Sequence, residues 1–523
     1  MLQKIEIVIE MNKVLLCICF LSLINCKQEQ KPVPQKTEEI NLDELTIGEI
    51  HSNFLAGNYT SVQLVTAYLQ RIEKQNGAIN AITFINPNAI SDAERLDNEY
   101  KSSGKLLPLH GIPLIVKDNF NTMGMPTTAG ALALKDFRPD SNATMVQQLI
   151  DAGAIIIAKS NMAEWAFSPM HTESSTAGTT LNPYNTDYVP AGSSGGTGAS
   201  IAANFGVIGL GSDTGNSIRG PSSHNALVGF RSTMGLTSRY GIVPLYLRND
   251  IAGPMCRTVE DATKVLNFIS GFDPNDSITT YSRGKVPDDY TKFLDENGLK
   301  GARIGVLRQL SDTNPDPEIT TLFNTSLQDL EDLGASVIDS VIIPDFQALR
   351  TNQWCDMFKQ DLERYLVEFV KNDTIATLDD IVRIGTKSDY AKQGVLYFKD
   401  APVGRTATPD IPCGTIYEDV RSIAFRSAVE TMMNTYGLDA LVYPSWNNKP
   451  ATVTNFEEEY KGDNSQVIAP HTGLPAFTIP MGFTSGNLPA GLQFLGRMYA
   501  EPILIKLTYA YEQGTKHRKK PNL

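Results

Sequence analysis

Histidine, cysteine and tryptophan are scarce in this chain: six, six and three in 523 residues. The cysteines, at 17, 19, 26, 256, 355 and 413, are too sparse for a disulfide scaffold and form no CxxC pair. The histidines show no HExxH or other metal-ligand spacing, so no structural metal is expected. Positive charge is also in deficit. A formal net charge of −13 argues against a phosphate- or nucleic-acid-binding role. No Gly-Lys-Ser/Thr follows the glycine-rich loops, which removes a phosphate-binding P-loop. The chain has no internal repeat, and no low-complexity linker follows residue 40.

The longest apolar stretch near the start, Val14 to Ile24, has eleven residues. A membrane span takes roughly 20, so this run suits the apolar core of a secretory signal behind Met11-Asn12-Lys13. Leu23-Ile24-Asn25-Cys26 resembles a bacterial lipoprotein processing site, with Asn25 departing from the small residue usual before the cysteine. Lys27 to Glu39 is polar, with Pro32 and Pro34, as a flexible tether would be. The expectation is a signal over 1–26 with lipid on Cys26, a tether over 27–40, and an exported, membrane-attached protein. A disordered tail is the plainer alternative.

From about Asn41 the sequence becomes regular. Leu64, Val65, Tyr68, Leu69 and Ile72 repeat with helical period behind Ser61, an apparent N-cap. Met145, Leu149 and Ile150 mark another helix, stopped by Gly153, and Ala154 to Ala158 reads as a strand buried on both faces. The same alternation recurs at Arg303–Leu307, Ile319–Leu333, Ala335–Ile338 and Leu438–Tyr443. Alternating strands and helices predict an α/β fold. We expect one large domain over 41–520, with a central mixed, mostly parallel twisted sheet covered by helices. The segment from about 275 to 430 carries the least recognisable pattern and is the expected source of substrate-specific elements.

Two loops rich in glycine and serine stand out, Ala191–Gly198 and Gly211–Arg219, with Ser193 and Ser217 24 residues apart. Upstream, Lys117 follows the apolar run Leu114-Ile115-Val116. A serine hydrolase needs a nucleophile, a base and donors for the oxyanion. Lysine can be the base only when burial keeps it neutral near pH 7. A surface lysine after a strand is the commoner reading of such a position taken alone. Thr214 to Ser217 offers consecutive backbone N–H groups beside a glycine, a run able to form an anion-binding nest, though a plain turn into a helix has the same composition. Gly192-Ser193-Ser194-Gly195-Gly196 also fits G-x-S-x-G, the nucleophile elbow of α/β-hydrolases. That scheme needs a later histidine, for which His224, His471 and His517 are candidates.

Several ordered motifs decide between these schemes. They are Leu109–Asn119, Lys159–Glu164, the two loops, His471–Ala476 and Pro489–Gly496. With them the chain resembles the amidase signature family over about 41–515. The resemblance implies a Ser–cis-Ser–Lys triad with Ser217 as nucleophile, Ser193 as relay after a cis peptide bond, and Lys117 as base. It implies an oxyanion hole on the amides of Thr214, Gly215, Asn216 and Ser217, support from Ser194, Asp213 and Arg219, and a pocket residue at Met162. The family usually has glycine where Asn216 stands. The implied reaction is hydrolysis of a small carboxamide or peptide amide, without cofactor, releasing ammonia or amine. Alternatives are the amidase subunit of a glutamyl-tRNA amidotransferase and a solute-binding lipoprotein that kept the fold.

Overall fold

The computed structural model describes residues 40–404 and 412–523. Leu42–Leu523 form one compact unit. The expected signal segment, Cys26 and nearly all of the tether lie outside the described residues.

Apolar runs bounded by turn residues make the strands. In chain order they are β1 (Ile82–Ile85), β2 (Pro113–Lys117), β3 (Ile155–Ser160), a short β4–β5 ribbon (Glu173–Ser174 and Gly178–Thr179), β6 (Ile208–Asp213), β7 (Val228–Arg231), β8 (Ile251–Cys256), β9 (Arg303–Val306), β10 (Ser336–Asp339), β11 (Ala440–Pro444), β12 (Ala476–Thr484) and β13 (Leu488–Leu495). Apart from the ribbon they form one sheet in the order β1-β3-β2-β6-β8-β7-β12-β13-β11-β9-β10.

The α/β layering and the mixed sheet are as expected. Parallel pairing holds in two blocks, β3-β2-β6 and β11-β9-β10. Between them, from β6 across to β11, neighbours run antiparallel. Parallel neighbours need a long crossover. Helices Thr144–Asp151, Gly195–Ala202 and Pro317–Asp332 lie between strands of the parallel blocks. In the centre, β12 and β13 are joined by the tight turn Ser485–Asn487.

Local details follow residue chemistry. The helix Ser61–Ile79 is capped by Thr60 rather than Ser61; the Thr60 hydroxyl accepts from Gln63 N–H and the Gln63 side chain reaches back to Thr60 N–H. Gly153, at φ +101°, turns the chain from the Thr144–Asp151 helix into β3. β3 is buried throughout, whereas β10 at the sheet edge is partly exposed.

This topology positions the site. β2 and β6 are parallel neighbours, so both carboxyl ends open on one edge of the sheet, where ligands of open α/β sheets bind. Lys117 is the last residue of β2, and Thr214–Ser217 directly follows β6.

Candidate active site

Lys117 is fully buried. Its Nζ donates to Ser193 Oγ at 2.8 Å and to Ser212 Oγ at 2.9 Å. Burial pushes its pKa down to about 7, although Asp213 and Asp250 pull the other way. A lysine in this setting exchanges its proton near neutral pH.

Ser193 follows a cis peptide bond from Gly192. The backbone here admits no side chain: a Cβ on Gly192 would stand 2.3 Å from His171 O and 2.4 Å from Ser168 O. Gly195 and Gly196 are equally confined, against Thr172 Oγ1 and Asn161 O. These contacts give the loop its glycines. Ser194 Oγ donates to Ser212 O at 3.2 Å, so its hydroxyl is committed to the backbone of β6.

The Ser217 loop is braced from below by charge. Asp213 is fully buried and meets Arg219 Nε at 3.1 Å and Arg231 Nη1 at 2.7 Å. Burial alone would raise its pKa; the two guanidiniums overcome that and hold it at about 2. Asp213 Oδ2 also accepts Ile218 N–H at 3.1 Å, and Arg219 Nη2 donates to Gly215 O at 2.6 Å. Both ends of the turn are thereby fixed. Among the described residues no acceptor takes the backbone N–H groups of Thr214, Gly215, Asn216 or Ser217, and all four residues line the cavity. They are the donor run that an anionic oxygen can use.

Two further groups complete the loop. Thr214 Oγ1 donates to Asp250 Oδ1 at 2.5 Å, and burial pushes Asp250 up to about 6. The Asn216 side chain lies against Pro169, donating from Nδ2 to its carbonyl at 3.2 Å. Ser217 Oγ donates to Asn216 Oδ1 at 3.4 Å. No hydrogen bond joins Ser217 Oγ to Ser193 Oγ in this structure; contacts of this kind often tighten only in the substrate complex.

The cavity beside Ser217 has a volume of about 570 Å³. Its outer wall is aromatic, with Phe167, Tyr246, Trp354, Tyr390, Tyr397 and Phe398. Four of these lie in the 275–430 segment singled out by its irregular pattern. None was marked individually by the sequence, because a single aromatic residue in a loop or helix reads as ordinary core. Gln466 also lines the cavity and likewise carried no sequence signal. Met162 is placed differently from the expectation: it packs with Ala129, Trp165 and Phe358 in an apolar cluster and is not on the cavity wall. Its long apolar side chain is buried among those neighbours.

Cys355 and Cys413 form a disulfide, with Cα atoms 6.1 Å apart. Cys355 stands between two cavity residues, Trp354 and Asp356. Sparse cysteines exclude a scaffold of bridges but not a single one. The three histidines of the nucleophile-elbow scheme are used elsewhere. His224 is buried against Trp446, His471 against Trp354, and His517 pairs with Asp329.

Comparison with known proteins agrees with this geometry. The family model described as Amidase matches residues 63–505. A probable amidase of Arabidopsis thaliana is 34% identical over 500 residues, covering 92% of each chain. A glutamyl-tRNA(Gln) amidotransferase subunit of Gloeothece citriformis is 32% identical, covering 91% of this chain and 99% of its own. The crystal structure of the peptide amidase from Stenotrophomonas maltophilia superimposes with a TM-score of 0.79 at 33% identity, over 92% of this chain and 99% of that one. The chain with a buried lysine beside its two serine loops thus belongs to the amidase signature family.

Proposed function

We propose that the protein hydrolyses carboxamides through an acyl-serine intermediate, with Ser217 as nucleophile, Ser193 as relay and Lys117 as base. One observation carries this reading: a fully buried lysine, shifted to about 7, with its Nζ 2.8 Å from Ser193 Oγ. A lysine is a useful base only in such a setting. In the reaction, neutral Lys117 draws a proton from Ser217 by way of Ser193. Ser217 Oγ attacks the carbonyl carbon, and the oxyanion rests on the Thr214–Ser217 amides. The proton returns to the leaving nitrogen, which departs as ammonia or amine. Water then uses the same relay to release the acid. Ser194, Asp213 and Arg219 keep the two loops in register.

The aromatic wall favours substrates carrying an aromatic or bulky apolar group next to the carboxamide. Ammonia release from N-acetylphenylalaninamide, acetamide and glutamine by the chain alone provides the test. We expect kcat/KM for the aromatic amide to exceed that for acetamide at least tenfold. Turnover of glutamine alone would instead favour a role within an amidotransferase, the enzyme named for the Gloeothece relative.

We also propose that the chain is exported and lipid-anchored at Cys26. The apolar run before Cys26 supports this, and so does the Cys355–Cys413 bridge, since disulfides persist mainly in oxidising compartments. Mass spectrometry of the mature protein from its native membranes should find a lipidated N-terminal Cys26 and an intact bridge. A chain retaining residues upstream of Cys26, with Cys355 and Cys413 as free thiols, would refute it.

A further inference from the structure

We propose that Gln466 is a specificity-determining residue, whose side-chain oxygen accepts the N–H of the scissile amide and selects amides over the matching esters. The inference rests on the amide-hydrolase reading and sharpens it, because the lysine–serine relay itself does not choose the leaving group.

The argument begins with how Gln466 is held. It ends the short helical turn Asn464–Gln466, capped by Asp463, whose carboxylate accepts Ser465 N–H at 3.2 Å. The Gln466 side-chain nitrogen donates to Asp463 Oδ2 at 2.9 Å and to the Tyr460 hydroxyl. Tyr460 OH also donates to Asp463 Oδ2, at 3.1 Å. Asp463 is partly buried in this cluster. Both donor positions of the glutamine are therefore spent on groups behind the cavity wall, which fixes which way the amide faces. Reversing it would forfeit both nitrogen bonds and set a carbonyl oxygen against Asp463 Oδ2, which already accepts from the Tyr460 hydroxyl.

With its nitrogen committed, Gln466 presents Oε1 to Gly215. A methyl group on Gly215 would stand 3.0 Å from that oxygen. Gly215 lies in the donor run expected to hold the substrate oxyanion, and both residues line the cavity. No described residue donates to Gln466 Oε1. A preset acceptor thus stands beside a preset set of donors. A carboxamide matches both halves, since its carbonyl oxygen accepts and its nitrogen donates. An ester matches only the donors: its second oxygen would meet Oε1 acceptor to acceptor. Sites built to hydrogen-bond a substrate N–H or O–H reject analogues without it because the site's own polar group is left unpaired.

The test compares N-acetylphenylalaninamide with N-acetylphenylalanine methyl ester, in the wild type, Gln466→Met and Gln466→Glu. Methionine keeps length and removes the acceptor; glutamate keeps an acceptor oxygen. We expect the amide-to-ester ratio of kcat/KM to fall about 10- to 100-fold in Gln466→Met. It should fall less in Gln466→Glu. An unchanged ratio in Gln466→Met, with both substrates slowed equally, assigns Gln466 a structural role only and overturns the proposal. Measuring both substrates on each preparation separates a folding defect, which lowers both rates together, from lost selectivity. A wild type that cleaves the ester and not the amide defeats the amide-hydrolase reading itself, an outcome distinct from a variant that keeps its amide preference.

Discussion

Replacing Ser217 with alanine is expected to lower kcat by about 10⁴-fold or more while leaving the fold intact. Removing the nucleophile of a serine hydrolase forfeits the covalent route, and the remaining donors and binding contacts rescue only a small part of the rate. The side chain contributes little to packing: Ser217 lies on the cavity surface, and its hydroxyl makes one long bond to Asn216. A fluorophosphonate probe should label the wild type and not Ser217→Ala, with equal melting temperatures for the two. Equal labelling would move the nucleophile elsewhere, Ser194 being the next hydroxyl to test. Ser194→Ala should keep its labelling, because that hydroxyl is already bound to Ser212 O.

The second large effect concerns Lys117. Lys117→Met should lose about 10³-fold or more in kcat/KM, and the wild-type profile should show why. With a folded pKa of about 7, the base is protonated and inactive in acid. Rate should climb about tenfold per pH unit below 7 and flatten above it. Stability should rise with pH as well, but over a higher window, between about 7 and 10.5. The folded pKa lies below the ordinary lysine value, so the unfolded chain binds the extra proton. The penalty is absent above about 10.5, grows as pH falls towards 7, and is complete below that. At pH 8 it is on the order of 3 kcal/mol, partly offset by the hydrogen bonds to Ser193 and Ser212. Lys117→Met is thus expected to melt above the wild type at pH 8 while being inactive. A variant with near-normal turnover, or a rate that does not depend on pH between 5 and 8, would exclude Lys117 as the base.

Much of this is legible in the amino-acid sequence itself. Strands such as β3 announce themselves because a continuous apolar run between Gly153 and polar residues has few other destinations. Lys117 is legible because it ends such a run, and the serine loops because their glycines answer to contacts that no side chain could survive. Other features are not legible, for physical reasons. The antiparallel centre of the sheet depends on which distant strands meet, and local periodicity does not carry that. Trp354, Tyr390 and Phe398 form one wall only after folding, and singly each looks like core. Met162 shares a motif with residues near the site, yet its side chain turns into the apolar cluster. Gln466 is oriented by Asp463 and Tyr460, and a glutamine's orientation is set by partners rather than by its own identity.

The carbonyl of Pro169 has a wider consequence. It accepts both Gly192 N–H, at 3.0 Å, and Asn216 Nδ2, at 3.2 Å. Pro169 itself faces the cavity. A single oxygen therefore ties a residue of the cavity wall to both the Ser193 loop and the Ser217 loop. On the proposed mechanism, a substrate seated against Pro169 would bear on both loops at once. Truncated amides are then expected to lose turnover before they lose affinity, as kcat and KM for a series of shortened amides would show.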